Sequence, residues 1–99
     1  MKITYLDEEK KFDQFINKKI MVDFYAEWCG PCKMLGEVLK NVDTEIECLK
    51  VNVDEFSNIA QKYGVMSIPT IIIFDNNKEI KKNIGFMDEE ELIEFIEKS

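Results

Sequence analysis

Val22-Asp23-Phe24-Tyr25-Ala26-Glu27-Trp28-Cys29-Gly30-Pro31-Cys32-Lys33 joins two different hydrophobic rhythms. Ile20 to Ala26 is almost continuously apolar, as a central strand covered on both faces should be, with one carboxylate, Asp23, set into it. Beyond Cys32, the residues Leu35, Val38, Leu39 and Val42 recur at helical spacing and trace a single stripe. The stretch therefore predicts a buried strand turning directly into an amphipathic helix, with Cys29 and Cys32 on the turn.

The same alternation continues outward in both directions. Lys2 to Leu6 is predicted as a short first strand, followed by a helix with Asp7 as its N-cap and Phe12, Phe15 and Ile16 on its buried side. Ile46 to Val53 alternates as a strand, with Leu49, Val51 and Val53 on one face and Cys48, Lys50 and Asn52 on the other. A short helix carrying Phe56, Ile59, Ala60 and Tyr63 ends at Gly64, and Thr70 to Phe74 is a second continuous apolar strand. Asn76-Asn77 tolerates the positive φ of a tight hairpin, so the next strand should pair antiparallel. Lys78, Lys81 and Lys82 on that strand suit an exposed sheet edge. Asp88 with Glu91 forms a capping pattern before a last helix that buries Leu92, Phe95 and Ile96. The order βαβαβαββα specifies one α/β domain over residues 1–99.

Composition narrows the chemistry. The chain is 45% hydrophobic and carries a net charge of −7, and each of its 13 cations is lysine. An acidic surface without arginine repels nucleic acid and anionic lipid and offers no bidentate fork for phosphate. With no histidine, imidazole catalysis and His-based metal sites are excluded. Zinc needs about four ligands, and Cys48 is the only cysteine beyond the pair. The amino terminus has no signal-peptide pattern and no apolar run reaches membrane-spanning length, so a cytoplasmic, soluble protein is expected. In that compartment a close cysteine pair points to catalysis.

The location of the pair explains why. A helix start presents unpaired backbone N–H groups and the positive end of the macrodipole, which favour a thiolate over a thiol. Pro31 costs nothing in the first helical turn and stiffens the two-residue bridge between the sulfurs. Cys32 precedes Leu35 by three residues and falls on the buried stripe, whereas Cys29 caps the tip and can face solvent. Cys29 is thus the expected nucleophile and Cys32 the resolving thiol. Cys48 reads as a small core hydrophobe. Asp23, a carboxylate inside an apolar strand, must be protonated or paired.

These residues resemble the thioredoxin family. Val22 to Lys33 is similar to its active-site strand and turn almost residue for residue. Gly64-Val65-Met66-Ser67-Ile68-Pro69-Thr70 is similar to its loop with a cis-proline opposite the cysteines, and Gly85 stands where the family has a glycine beside the active site. The resemblance covers essentially the whole chain. Departures are Tyr25 where a tryptophan is common, Glu37 in place of a helix-kinking proline, and Asn77 in place of a hairpin glycine.

The resemblance implies a thioredoxin-like fold, a central five-stranded mixed sheet flanked by four helices. It implies a thiol–disulfide oxidoreductase that reduces protein disulfides through a Cys29/Cys32 dithiol–disulfide cycle and maintains cellular redox homeostasis. It further implies Asp23 as proton acceptor for Cys32, with Lys50 modulating it, and a substrate groove made of Trp28, Gly30, Pro31, Met66, Ser67, Ile68, Pro69, Gly85 and Phe86. No bound cofactor or metal is expected. Implied partners are a thioredoxin reductase, flavin- and NADPH-dependent or ferredoxin-dependent, and substrates such as ribonucleotide reductases, peroxiredoxins and methionine sulfoxide reductases, met by a monomer. The rival readings are an oxidase or isomerase on the same scaffold and a non-catalytic binding or assembly subunit.

Overall fold

The computed structural model describes residues 1–98. Its elements are β1 (Ile3–Tyr5), a 3-10 turn (Glu9–Lys11), α1 (Phe12–Phe15), β2 (Ile20–Tyr25), α2 (Gly30–Asn41), β3 (Cys48–Asn52), α3 (Ser57–Lys62), β4 (Thr70–Asp75), β5 (Lys78–Ile84) and α4 (Glu89–Glu97). The five strands form one mixed sheet in the order β1-β3-β2-β4-β5. β3 pairs in parallel with β1 and β2, while β4 pairs antiparallel with β2 and β5. The continuous apolar strands β2 and β4 lie at the centre and adjacent to it, as their lack of a polar face requires.

Strand alternation divides the apolar side chains into two cores, one on each side of the sheet. Val22, Phe24, Leu49, Val51, Ile72 and Phe74 meet Phe12, Ile16, Ile59 and Ala60 from α1, its end and α3. Met21, Cys48, Ile71 and Ile73 meet Leu35 and Leu39 of α2 and Leu92 of α4. Asp23, two residues after Met21, therefore points toward the α2 side. The register then sets Asp23 of β2, Lys50 of β3 and Tyr5 of β1 in one row across the sheet.

Local chemistry closes the elements. Asn76 and Asn77 adopt φ of 54° and 65°, making the expected hairpin, and a bulge between Ile73 and Phe74 shifts the β4–β5 register. Asp88 and Glu91 form a reciprocal capping box at α4. Asp7 departs from expectation: it caps nothing, and its carboxylate pairs with Lys11 at 3.2 Å. The helix it was expected to start is entered through the 3-10 turn and runs for one turn only, with Lys11 at its N-cap and no side-chain cap. Phe12 and Ile16 are buried as expected, while Phe15 is half-buried. Packing of these side chains, not capping, holds the segment.

Candidate active site

At the end of β2 the chain turns tightly, with the Cys29 N–H donating to the Ala26 carbonyl at 3.3 Å. Cys29 is the N-cap of α2, and its Sγ accepts the Cys32 N–H at 3.2 Å. Pro31 sits in the first turn, where no intrahelical donor is lost. Cys29 and Cys32 are joined as a disulfide, with Cα atoms 5.2 Å apart. On reduction, the donor that reaches Cys29 Sγ becomes a charge-assisted partner for a thiolate, aligned with the helix dipole.

The expected contrast in exposure is small. Cys29 is 5% and Cys32 2% exposed, because Ala26, Tyr25, Val53 and Ile68 pack around both. What distinguishes the two sulfurs is position: Cys29 stands at the cap, whereas Cys32 belongs to the buried face of α2 with Leu35, Gly36 and Leu39.

The second segment approaches from the start of β4. Because β2 and β4 run antiparallel, the end of one and the beginning of the other lie together. The Ile68 carbonyl oxygen is 3.8 Å from Cys29 Sγ, and the Ile68–Pro69 peptide is cis. Thr70 Oγ1 donates to the Ser67 carbonyl at 2.6 Å, and the Gly85 N–H donates to the Pro69 carbonyl at 2.8 Å, tying the loop to the end of β5. Gly85 has φ of 101°, a conformation that favours glycine. Trp28, Met66 and Phe86 are exposed large apolar side chains near these segments in the chain, and Gly30 and Pro31 are also exposed.

Beneath α2 lies the charged pair. Asp23 is fully buried, neither of its carboxylate oxygens has a hydrogen-bond partner, and Lys50 Nζ stands 3.5 Å from Oδ2. Burial pushes the Asp23 carboxyl up to about 6, and the Lys50 ammonium opposes that rise. Gly36, one turn after Cys32, faces Lys50: a Cβ built there would meet Nζ at 3.4 Å. A cleft of about 340 Å³ lined by Cys32, Lys50, Tyr5, Tyr25, Ala26, Glu27 and Lys33 opens beside the pair. The structure thus brings Cys29, Cys32, Ile68 and Pro69 together under the exposed Trp28, Gly30, Pro31 and Met66, and sets Asp23 and Lys50 beneath α2.

Three contacts at the site go beyond the sequence expectations, those of Asp54 with Trp28 and of Tyr5 and Tyr25 with Lys50. Asp54 accepts the Trp28 indole N–H at 2.9 Å, and its own loop is turned by Asn52, whose Oδ1 accepts the N–H groups of Asp54 and Glu55. The Asn52-x-Asp54 spacing was a usable turn signal. Tyr5 and Tyr25 place their rings against Lys50, which no local pattern announces. Cys48 is free and buried, and burial drives its thiol far above the usual range. Among the described residues no cluster could hold a metal ion, and no helix is long and apolar enough to cross a membrane.

Comparisons agree with this geometry. The family model described as Thioredoxin matches residues 3–98. A thioredoxin of Chlamydia caviae is 43% identical over 91 residues, covering 88% of this chain and 89% of its own. A thioredoxin of Mycoplasmoides gallisepticum is 40% identical over 99 residues, covering 95% and 99%. Among solved structures, a mutant thioredoxin from Halobacterium salinarum superposes with a TM-score of 0.89 at 33% identity, covering 98% of this chain and 89% of that one. Malassezia sympodialis thioredoxin superposes at 0.86 with 36% identity, covering 97% and 89%.

Proposed function

This chain belongs to the thioredoxin family and is a thiol–disulfide oxidoreductase, and from that premise we propose how its residues divide the reaction. Cys29, as thiolate, attacks one sulfur of a substrate disulfide. A Cys29–substrate disulfide forms, and the other substrate sulfur leaves as a thiolate and takes a proton from water. Cys32 then gives its proton to the Asp23 carboxylate through the cleft beside Lys50 and attacks Cys29 Sγ. The Cys29–Cys32 disulfide closes, and the second substrate sulfur leaves as a thiolate and takes a proton from water. The substrate gains two electrons and two protons, and the dithiol is oxidised by the same amount.

The observation that carries this assignment is the Cys32 N–H directed at Cys29 Sγ from the first turn of α2, at 3.2 Å. It supplies the donor and the helix end that stabilise a thiolate on Cys29 and not on Cys32. Trp28, Gly30 and Pro31 on one side and Met66, Ser67, Ile68, Pro69, Gly85 and Phe86 on the other form the groove that receives the substrate chain.

A thioredoxin reductase restores the dithiol, and disulfide-containing proteins are the oxidants. We assign the finer roles as follows. The reductase is flavin- and NADPH-dependent, or ferredoxin-dependent, and the substrates include ribonucleotide reductases, peroxiredoxins and methionine sulfoxide reductases. The protein acts as a cytoplasmic monomer of one domain and without a bound cofactor. The test is insulin disulfide reduction by the purified protein with each reductase class. Turnover with one reductase, lost in Cys29→Ser, supports the assignment. Turnover retained in Cys29→Ser would overturn it.

A further inference from the structure

Asp23, Lys50 and Tyr5 occupy one row across three adjacent strands, on the side of the sheet covered by α2. The carboxylate is at the centre and fully covered, Lys50 is largely covered, and Tyr5, 57% exposed, ends the row at the sheet edge. Lys50 Nζ lies 4.6 Å from the Tyr25 ring centroid and 5.6 Å from that of Tyr5. The two rings meet edge to face, with centroids 6.2 Å apart and planes at 82°. The ammonium therefore has aromatic rings on the water side and Asp23 on the inner side. Both contacts favour a cation, and the rings leave a long flexible side chain few other places to go.

We propose that Tyr5 is a positioning residue for the redox reaction: with Tyr25 it forms an aromatic clamp that holds the Lys50 ammonium against Asp23. The proposal rests on Asp23 serving as proton acceptor for Cys32. An acceptor buried without hydrogen bonds has one source of compensation for its charge, Lys50 at 3.5 Å. Whatever fixes Lys50 fixes the proton affinity of Asp23, and through it the pH range in which Cys32 is deprotonated. Tyr5 meets the row at the Lys50 ammonium and at the Tyr25 ring, so its influence on Asp23 passes through the cation that the two rings hold.

The other titratable or charged groups around this row are Tyr25 and Glu27 at the end of β2, Cys32 and Lys33 of α2, and Cys48 of β3. β4 contributes apolar Ile71 opposite Asp23. Lys50 is the one cation in contact with the carboxylate among the described residues, so releasing it must make ionisation of Asp23 harder.

The test is the titration of the Asp23 carboxyl, followed by carbon NMR in the reduced protein, beside the pH profile of mixed-disulfide resolution. Tyr5→Leu keeps apolar bulk at an exposed edge and removes the ring. Its Asp23 midpoint should move up by roughly half a pH unit, in the direction of Lys50→Met and by less, as expected for an exposed cation–ring contact. Tyr5→Phe should restore the midpoint. The alkaline-going limb of the resolution profile should move with it. A Tyr5→Leu midpoint that stays in place, or falls because water reaches the carboxylate, would overturn the clamp, even where the variant melts at a lower temperature. Midpoints that move as expected while Asp23→Asn resolves at the parent rate would sink the acceptor role of Asp23 and leave the clamp standing as an electrostatic fact.

Discussion

The indole of Trp28 is 72% exposed, yet its N–H is fixed by the Asp54 carboxylate at 2.9 Å. A large apolar ring is thus held out in solvent, beside the cysteine cap, by a residue from the loop after β3. An exposed aromatic that is orientationally fixed loses little further freedom when a partner covers it.

Asp54→Ala should therefore weaken substrate engagement with little effect on the fold. We expect KM for a protein disulfide to rise severalfold and stability to change by less than about 1 kcal/mol, because the hydrogen bond is exposed. Trp28 is the only tryptophan, and a disulfide beside an indole is expected to quench it, so emission should rise on reduction. The contrast should shrink in Asp54→Ala as the ring becomes mobile. Unchanged kinetics and an unchanged fluorescence contrast would show that the bond holds nothing of consequence.

Cys29→Ser should abolish disulfide reduction, while Cys32→Ser should still attack and then stall as a mixed disulfide. Intact-mass spectrometry after incubation with an oxidised protein substrate should show a covalent adduct on Cys32→Ser only. An adduct on Cys29→Ser would reverse the two roles.

Asp23 should set stability and activity against each other. Its folded-state carboxyl is raised to about 6 from 3.8. Below 3.8 both folded and unfolded chains are protonated there and no penalty exists. As pH rises from about 4 through 6 the unfolded chain ionises more readily, so stability falls by roughly 3 kcal/mol and stays lower above that window. Asp23→Ala relieves this at neutral pH, offset by the smaller side chain and by the unpaired Lys50, for a net gain of about 1–2 kcal/mol. At 4–8 °C per kcal/mol, thermal melts should resolve the gain at pH 7 and find none at pH 4. Resolution of the mixed disulfide should slow roughly tenfold or more at pH 7. A variant less stable at pH 7 and equally fast would make Asp23 a satisfied structural partner.

Cys48 should be silent chemically. Its thiol is buried and pushed far toward the protonated form, by burial first and by the nearby Asp23 charge second. In the reduced native protein, alkylation near pH 8 should label Cys29 and leave Cys48 unmodified until denaturant is added. Cys48→Ala should cost about 1 kcal/mol of packing and leave turnover nearly intact. A large loss of turnover would give this residue a redox role.

The parts of this molecule that were readable in the sequence are those fixed by local rhythm. The runs Ile20–Ala26 and Thr70–Phe74 are short, almost continuously apolar and rich in β-branched and aromatic residues, which marks covered strands, and Asn76-Asn77 and Asp88 with Glu91 carry their own backbone chemistry. At α1 a capping-type residue, Asp7, and helical spacing at Phe12 and Ile16 imitate a longer helix than the single turn that forms. Here Asp7 is engaged by Lys11. Spacing along a helix leaves Cys29 free to face solvent and says nothing of Ile68, which arrives from 39 positions away to cover it. The same holds for Tyr5 against Lys50 and for Asp54 beneath Trp28. Each is a contact between strands or loops whose register only the assembled sheet determines.

The antiparallel run of β2 beside β4 has an evolutionary consequence. The electron-carrying pair and the cis-proline loop meet in space, but they are encoded on separate stretches of chain and anchored to separate strands. The exposed side chains of Met66 and Ser67 can drift, be exchanged or be selected for a new client while Ile68, which packs on the cysteine pair, stays in place. Duplicated copies of such a gene can retain the same currency of electrons while diverging in whom they serve, and a library randomised at 66 and 67 is the natural place to retarget this protein by hand.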